Sequence, residues 1–418
     1  MLIYLGGIIV LLTFIAIIKK YETRMVLFLG GLIMAALSGH AAEAITAFSA
    51  AMINSGLVPV ICTVMGFAYV MKFTKCDQHL VNFLAGNLTK FKMILIPGAM
   101  LVTFTINIAL PSAAGCAAAV GAILIPTLIG AGVHPAMAAS TVLAGTWGSV
   151  MSPGNSHNPF VANLADVDVM TVIANLSKSA ILSGVLVAVI LTMVAYYRKE
   201  NAGQQSIEGK EYNLEVFKVN YIKALVPVIP LLLLVLSAKQ IHLIPSVSVP
   251  QAMIFGTILA VIVTRMSGQA VTKQFFTGMG NAFGDVIGII IGAAVFTKGM
   301  ELIGITGALI GMMKASEQIA KVAATFGPFV VAVLCGSGDA AALAFNGAIT
   351  PHAGQFGFGI IEMGSLAQIS GALGRSMSPV AGAAIVCAQL AGVDTIELAK
   401  RNAPAMLAAA IFMMFTLI

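Results

Sequence analysis

The sequence predicts an all-α polytopic membrane protein made of two inverted-topology repeats of about five to six helices each, with re-entrant hairpins and broken helices. Three observations support this fold class: an apolar composition, a long internal repeat, and interruptions of the apolar segments at matching places. Hydrophobic residues make up 59% of the 418 residues and charged residues only 9%, whereas a soluble domain carries about 25% charged residues. Apolar runs recur along the chain and predict about ten to twelve helices that span a bilayer.

The internal repeat is clearest in two Ser-Pro motifs. VMSP occurs at residues 150–153 and SMSP at residues 376–379, so the two prolines are 226 residues apart. Other segments match at a similar spacing: residues 42–56 with 270–284, and residues 163–173 with 389–399. The repeat divides the chain into an N-terminal membrane repeat (1–197), a linker (198–220) and a C-terminal membrane repeat (221–418). Such halves, broken at matching positions, are typical of secondary transporters.

Basic residues indicate how the repeats are oriented. Lys19, Lys20 and Arg24 follow the first apolar run, so the positive-inside rule places the N-terminus in the periplasm. The same rule predicts two cytoplasmic stretches, the charged linker and the segment that carries Lys72, Lys75, Lys90 and Lys92. Because the first repeat begins outside and ends inside, the second begins inside. The two copies therefore have opposite orientations.

The motifs of several other protein classes are absent from the sequence. There is no GxxxxGK[ST] phosphate loop, no HExxH and no GxSxG, so we expect neither ATP hydrolysis nor an enzyme. The five cysteines include no CxxC pair, so we expect no disulfide framework, no firm metal site and no cofactor. The formal charge of +6 comes mostly from loop residues and indicates membrane topology rather than a nucleic-acid partner.

Helix-breaking residues recur at membrane depth at two places in each repeat. Residues 107–115 (NIALPSAAG) match residues 335–341 (CGSGDAA), and residues 145–160 match residues 369–383. Irregular backbone is tolerated in a bilayer only where protein buries it or water lines it. The N-terminus of a half-helix offers free N–H groups to an anion, which predicts a small anionic substrate. The candidate substrate-binding residues are Ser112, Thr146, Ser149, Ser152, Asn155, Ser156, Ser337, Gly338, Arg375, Ser376 and Ser378.

Asp339, Asn107 and Asp285 are candidates for ion or proton coupling. Asp339 follows a glycine break inside an apolar region, where an ionisable residue is a functional hypothesis by default. His157, in the first interrupted segment, is a further residue that would touch the ligand or a proton. A structural role is the alternative in each case, because Ser-Pro steps also kink helices, Asp285 also suits a helix end, and Arg375 also reaches lipid headgroups.

Three C-terminal segments carry a resemblance to a known family. GSGDA at residues 336–340, LGRSMSPVAG at 373–382 and GVDTIELAKRNAP at 392–404 resemble the C-terminal signature of anaerobic C4-dicarboxylate carriers of the DcuC type, which belong to the ion transporter superfamily. The resemblance implies exchange or efflux of succinate, fumarate, malate or aspartate across a bacterial inner membrane. It also implies a homodimer in the lipid bilayer, in which a scaffold holds two moving transport units in an elevator-type alternating-access mechanism.

One departure from the superfamily concerns the coupling ion. Its sodium-coupled dicarboxylate carriers have Ser-Asn-Thr at both hairpin tips, whereas this chain has Ser-Ala-Ala from Ser112 and Ser-Gly-Asp from Ser337. Sodium near Ser112 and Asp339, or a proton on Asp339, are therefore both candidates. Three alternatives stay open at this point: a carrier for another small carboxylate, a cation/proton antiporter of the same superfamily, and an ion channel.

Overall fold

The computed structural model describes residues 2–86, 94–201, 218–238, 241–314 and 317–418, and every regular element in these ranges is helical. In the first repeat the helices are α1 Leu2–Ile18, α2 Thr23–Leu37, α3 Ala41–Met52, α4 Val58–Thr74, α5 Cys76–Ala85, α6 Leu95–Ala109, α7 Ala113–Gly130, α8 Pro135–Gly145, α9 His157–Ala165 and α10 Val169–Tyr197. A 3-10 turn, Gly148–Met151, lies between α8 and α9. The predicted linker residues 202–217, with Lys90 and Lys92, lie outside the described residues.

In the second repeat the helices are α11 Tyr221–Leu225, α12 Ile229–Ser237, α13 Val249–Thr264, α14 Gly268–Ala282, α15 Gly288–Leu302, α16 Ile305–Lys314, α17 Glu317–Cys335, α18 Gly338–Ala348, α19 Ile360–Met377, α20 Gly382–Ala391 and α21 Thr395–Leu417. A π-helical turn, Phe283–Ile287, joins α14 to α15, and a 3-10 turn, Thr350–Phe356, follows α18. The all-helical fold class is confirmed for the described residues.

The number of spanning helices differs from the sequence estimate. By length and composition, four of the described helical segments are able to cross a membrane, or six if each of two bent pairs is one span. Five further apolar helices have 10–17 residues. Several apolar runs of the sequence are thus divided between shorter helices, because Gly, Pro and Ser interrupt them. Conversely, the sequence predicts a short helix after the first Pro-Ser step, yet α7 has 18 residues and includes Pro126.

The helices follow the same order in the two halves. From α2 to α10 each helix has a counterpart from α13 to α21, and the Ser-Pro motifs fall after α8 and at the end of α19. Helix caps recur as well: Asp168 accepts a hydrogen bond from the Met170 N–H, and Asp394 accepts one from the Ile396 N–H, both at 2.8 Å. The order agrees with a sequence duplication. The inverted orientation of the copies stays a prediction.

The helices pack into two bundles, each with members from both repeats. The small bundle consists of α2, α3, α4, α13, α14 and α15, in which α2 and α3 pack on α15 while α13 and α14 pack on α4. The large bundle consists of α6–α10 and α17–α21, in which α7 packs on α20, α10 on α21 and α17 on α19. The largest apolar core, which includes Trp147 and Phe104, lies mainly in the large bundle.

Glycines allow close helix packing at equivalent places of the large bundle. A methyl group at Gly148 would overlap the carbonyl of Phe104 on α6, and one at Gly374 would overlap the carbonyl of Phe329 on α17. Gly148 and Gly374 are 226 residues apart. Small residues let membrane helices approach closely. These contacts hold the two interrupted segments against α6 and α17.

Candidate functional site

Four irregular segments of the large bundle converge, two from each repeat. We name residues 110–112, between α6 and α7, the first tip, and residues 336–337, between α17 and α18, the second tip. Residues 146–156, between α8 and α9, are the first break, and residues 378–381, between α19 and α20, are the second break. These are the places where the sequence predicts polar backbone at membrane depth.

Asn107 fixes the first tip to the first break. Its Nδ2 donates to the Leu110 carbonyl at 2.9 Å, and its Oδ1 accepts from the backbone N–H of Ser149 at 2.7 Å. Ser112 is exposed and caps α7, because its hydroxyl oxygen accepts from the Gly115 N–H at 3.2 Å. The hydroxyl hydrogen and the first N–H groups of α7 are therefore available to an anion.

The first break is organised by Asn158 of α9. Its Nδ2 donates to the carbonyls of Val150 and Ser152, both at 2.8 Å, and its Oδ1 accepts from Gln368 Nε2 of α19 at 2.9 Å. Asn158 and its partners Val150, Ser152 and Gln368 are all buried. A fully hydrogen-bonded amide of this kind rigidifies the backbone around it and ties the first break to the second repeat.

Side chains of the first break make mainly local hydrogen bonds. Thr146 Oγ1 donates to the Leu143 carbonyl at 2.7 Å, and Ser152 Oγ accepts from the Gly154 N–H at 3.2 Å. Asn155 is half-buried, and its Oδ1 accepts from the His157 N–H at 3.2 Å. Thr146, Ser149, Ser152 and Ser156 are buried. Of the candidates in this segment, Asn155 is thus the most accessible.

The second tip packs directly on the second break. Gly336 has φ +78°, and a Cβ there would lie 2.8 Å from the Val380 carbonyl, so both the conformation and the close approach require glycine. Ser378 is buried, donates to the Val333 carbonyl at 2.7 Å and accepts from the Val380 N–H at 3.3 Å. Its hydroxyl group therefore holds α17 to the break.

Ser337 and Ser376 play different parts at this end of the site. Ser337 is half-buried and caps α18, accepting from the Ala340 N–H at 3.2 Å, as Ser112 does for α7. Ser376 is buried, and its Oγ donates to the Ala372 carbonyl at 3.0 Å. Gly338 faces Gly371 of α19, whose carbonyl would lie 2.7 Å from a Cβ at Gly338.

Charged side chains cross between the repeats at this site. Asp339, in the first turn of α18, accepts a hydrogen bond at Oδ1 from Nε2 of His157, the first residue of α9, at 2.9 Å. The Asp339 side chain is 59% exposed and that of His157 only 4%, so one carboxylate oxygen is left accessible. Arg375 donates from Nη2 to the Thr146 carbonyl at 2.9 Å and interacts electrostatically with Asp339.

A cavity of about 760 Å³ leads to the first tip. It is lined by α4, α5 and α7, and by Pro111 and Ser112 of the first tip. Lys72 and Tyr69 of α4 and Asp77 of α5 contribute polar atoms to its wall. We call this space the large cavity. A cavity of this size accommodates a small anion.

The structure brings most of the predicted residues together and separates one. The tips and breaks, together with the helix ends that adjoin them, contain Asn107, Ser112, Thr146, Ser149, Ser152, Asn155, Ser156, Ser337, Gly338, Asp339, Arg375, Ser376 and Ser378. Asp285 lies instead in the π-helical turn of the small bundle, is exposed, and has Arg24 Nη1 3.5 Å from its Oδ1. Its position suits an ion pair at a helix junction.

Sequence reasoning misses the partnerships that join the repeats. It indicates His157 as a candidate without pairing it with Asp339, and it assigns no role to Asn158 or Gln368. The signal for His157 is its place directly after the first Ser-Pro break, at the start of a helix. No sequence signal indicates the buried ion pair in which Arg401 of α21 donates to Glu200, at 2.7 and 2.5 Å.

Comparisons with known proteins agree with this architecture. The family model described as "C4-dicarboxylate anaerobic carrier" matches residues 3–418. An uncharacterised transporter of Haemophilus influenzae is 40% identical over 274 residues, which cover 63% of this chain and 98% of that protein. The anaerobic C4-dicarboxylate transporter DcuC of Escherichia coli K12 is 23% identical over 421 residues, covering 92% of this chain and 89% of the transporter.

Two solved structures share the fold at low sequence identity. MtrF of Neisseria gonorrhoeae, described as illuminating a class of antimetabolite efflux pumps, has a TM-score of 0.63 at 12% identity, covering 90% of this chain and 82% of MtrF. The YdaH transporter of Alcanivorax borkumensis has a TM-score of 0.58 at 12% identity, covering 87% of this chain and 85% of YdaH.

Proposed function

The chain belongs to the family of anaerobic C4-dicarboxylate carriers, and on that premise we propose that it exchanges succinate, fumarate, malate or aspartate across the bacterial inner membrane. As a member of this family it is a transporter and not an enzyme. The proposed cycle includes antiport of one dicarboxylate for another and symport of a dicarboxylate with a coupling ion.

The convergence of two capped helix N-termini beside Arg375 is the observation that carries the proposal. Ser112 and Ser337 are the N-cap residues of α7 and α18, each with its hydroxyl oxygen used as a cap. The remaining hydroxyl hydrogens, the first N–H groups of both helices and the guanidinium group suit carboxylates. A C4-dicarboxylate carries two such groups, one at each end. We assign one to each side of the site, with Asn155 and the backbone of the breaks as further donors.

The separation into two bundles supports alternating access. The large bundle holds both tips and both breaks, while α4 of the small bundle, with α5, forms one wall of the large cavity. In the proposed cycle the large bundle moves as a unit against the small bundle, which forms the scaffold of a homodimer. An elevator-type movement would carry the bound anion from one face to the other.

Coupling is assigned to Asp339. Its carboxylate is accessible, and it is held by His157 of the other repeat, so a change in its charge alters a contact between the repeats. Protonation would weaken the hydrogen bond to His157, whereas sodium would bind the free carboxylate oxygen together with hydroxyl and carbonyl groups near the tips. We favour the proton, because His157 already occupies the other oxygen.

Equilibrium binding tests the assignment of the site. Purified protein in detergent is titrated with radiolabelled succinate, with citrate, butyrate and fumarate as competitors. Only fumarate is expected to compete well. Arg375→Gln should weaken binding by about tenfold to a hundredfold. The affinity of Arg375→Lys should lie between those of wild type and Arg375→Gln, because lysine keeps the charge but lacks the paired N–H donors of the guanidinium group. Arg265→Gln, outside the site, is the matched control. Preferred competition by citrate or butyrate would move the substrate to another carboxylate.

A further inference from the structure

Two lysines at equivalent positions of the repeats line two different cavities. Lys72 of α4 and Lys298 of α15 are 226 residues apart, the same spacing as the Ser-Pro motifs, and the match extends to Gly66 with Gly292 and Ala68 with Ala294. Ala68 and Lys72 line the large cavity. Ala294 and Lys298 line a second cavity of about 270 Å³, which we call the small cavity.

Two walls of the small cavity, α15 and α18, are the repeat counterparts of α4 and α7 in the large cavity. The small cavity lies between α3 and α15 of the small bundle and α9 and α18 of the large bundle, with Phe160 and Gly347 on the large-bundle side. Gly347 lies against Thr297 Oγ1, 2.9 Å from where a Cβ would be. α15 and α18 are thus in close contact, whereas α4 and α7 both line the large cavity.

Contacts along α2 and α15 place Lys298 at one end of the small bundle. Near the start of these two helices, Arg24 donates from Nη1 to the Gly284 carbonyl at 2.6 Å. Farther along, Gly31 packs on the backbone of Val295. Lys298 follows Val295 by about one turn and therefore lies at the end away from Arg24, beside Glu43.

Contacts along α4 and α14 place Lys72 at the opposite end. Ile61 of α4 clusters with Ala282, near the end of α14, whereas Met71 clusters with Val271, near its start, so the two helices run in opposite directions. Lys72 follows Met71 and therefore lies beside the start of α14. α14 continues through the π-helical turn into α15 as one helical segment, Gly268–Leu302, and Lys298 lies near the far end of that segment. The two lysines are therefore at opposite ends of the small bundle.

The two lysines differ in their acidic neighbours. Lys298 Nζ lies 3.2 Å from Glu43 Oε2 and 3.3 Å from Glu301 Oε2, and its side chain is 27% exposed. Lys72 is exposed, and no carboxylate of the described residues lies within 4.0 Å of its amine. Asp77 lines the same cavity, but its Oδ1 accepts from the Gln78 N–H. The residue 226 positions before Glu301 is Lys75.

We propose that Lys72 and Lys298 are the first binding sites for the dicarboxylate anion, one at each entrance, and that Glu43 and Glu301 occupy Lys298 while its entrance is closed. This inference rests on the proposed function. A fixed cation at the mouth of a cleft raises the local concentration of an anion. Because the Lys72 entrance lacks the counterparts of Glu43 and Glu301, the carrier has a lower KM for dicarboxylates at the face that carries Lys72.

Uptake from each face separates the two entrances. Inverted membrane vesicles present the predicted cytoplasmic face, where Lys72 lies, and right-side-out vesicles present the opposite face. Lys72→Gln is expected to raise the KM for radiolabelled succinate about threefold to tenfold in inverted vesicles only, and Lys298→Gln to do so in right-side-out vesicles only. Both effects should shrink at about 0.5 M salt because screening removes them. Lys273→Gln, outside both cavities, should change neither KM.

A gain of affinity provides a test that misfolding does not imitate. Glu43→Gln combined with Glu301→Gln releases Lys298 and is expected to lower the KM in right-side-out vesicles by about the same factor. An unchanged KM in every one of these variants, with wild-type succinate exchange intact, overturns the inference and leaves the proposed function standing.

Thiol labelling decides the question if wild-type protein does not carry succinate. Lys72→Cys and Lys298→Cys are treated with a membrane-impermeant thiol reagent from either face, with wild-type protein treated in parallel because Cys116 lines the large cavity. Modification of Lys72→Cys from one face and of Lys298→Cys from the other supports the two entrances for whatever anion is carried. Modification of both from the same face, or of neither, overturns them.

Discussion

At the scale of single residues, serines that look alike in sequence have different environments. Ser112 is exposed and Ser337 half-buried, and both keep a hydroxyl hydrogen for a ligand. Ser378 is buried and donates to the Val333 carbonyl. The motif predicts a role for each of these serines, and only the fold distinguishes an accessible hydroxyl group from a buried one that holds the backbone.

Serine-to-alanine variants measure this difference. Ser337→Ala should abolish or strongly reduce uptake through loss of a hydrogen bond to the substrate carboxylate and of the α18 cap, the cap being worth about 1 kcal/mol. Ser378→Ala should also abolish uptake, but by loosening the second break. Thermal melting with and without succinate separates the two. Ser337→Ala should keep most of its stability and lose the succinate-induced shift, whereas Ser378→Ala should melt lower without ligand. Unchanged transport in both variants would refute the site assignment.

Asp339→Asn tests the coupling role. The amide cannot take up a proton, so net uptake driven by a pH gradient should be lost while exchange of internal for external dicarboxylate persists. Uptake is measured in proteoliposomes with sodium and pH varied independently, and Asp285→Asn is the matched control because Asp285 lies in the other bundle. Gradient-driven uptake by Asp339→Asn at the wild-type rate would remove Asp339 from the coupling step.

At the scale of elements, equivalent glycines hold the breaks against the hairpins. Gly148 approaches α6 and Gly374 approaches α17 so closely that a methyl group would overlap backbone. Gly148→Ala and Gly374→Ala are each expected to destabilise the protein by about 1–3 kcal/mol and to lower transport. Gly280→Ala, in α14 with nothing within 4 Å of its Cβ position, should stabilise it by about 0.5–1 kcal/mol. Melting temperatures in detergent compare the three. Equal melting temperatures of Gly148→Ala, Gly374→Ala and Gly280→Ala would contradict the close helix contacts at Gly148 and Gly374.

Glu200 connects the end of α10 to α8 and α21. Its carbonyl accepts from the His134 N–H at 3.1 Å, and its carboxylate receives two hydrogen bonds from Arg401. Burial raises the pKa of Glu200, but the hydrogen bonds and charge of Arg401 outweigh burial and leave the pKa below its ordinary value near 4.5. A lowered pKa in the folded state stabilises the protein above the ordinary pKa, and this contribution is lost as the pH falls through the folded-state pKa.

The corresponding variant is Glu200→Gln. At pH 7 it should be less stable than wild type by about 3 kcal/mol, because Arg401 loses its buried partner. The difference in melting temperature should shrink as the pH falls below the ordinary carboxylate pKa, because the unfolded wild type takes up its proton before the folded protein does, and it should disappear once the pH is below the lowered pKa of Glu200. Glu317→Gln is the control, because it removes an exposed carboxylate at the start of α17. A difference in melting temperature that grows at acidic pH would contradict a lowered pKa of Glu200.

At the scale of the whole molecule, the sequence predicts the helical class, the order of elements and the position of all four irregular segments. It does so because Gly, Pro and Ser interrupt apolar runs at positions that physical chemistry disfavours within helices. It does not predict that His157 meets Asp339, 182 residues away, since pairing across repeats depends on packing. Nor does it indicate that the cavity beside Lys72 has about 760 Å³ and the cavity beside Lys298 about 270 Å³, because these volumes depend on how the two bundles pack.

The most direct measurement of the central claim is radiolabelled succinate uptake into proteoliposomes preloaded with fumarate, succinate, citrate or buffer. The account predicts that internal fumarate and succinate accelerate uptake, that citrate and buffer do not, and that uptake saturates with external succinate. A channel would not exchange one substrate for another. Acceleration by citrate, or no uptake under any gradient of sodium or protons, would contradict C4-dicarboxylate exchange by this protein.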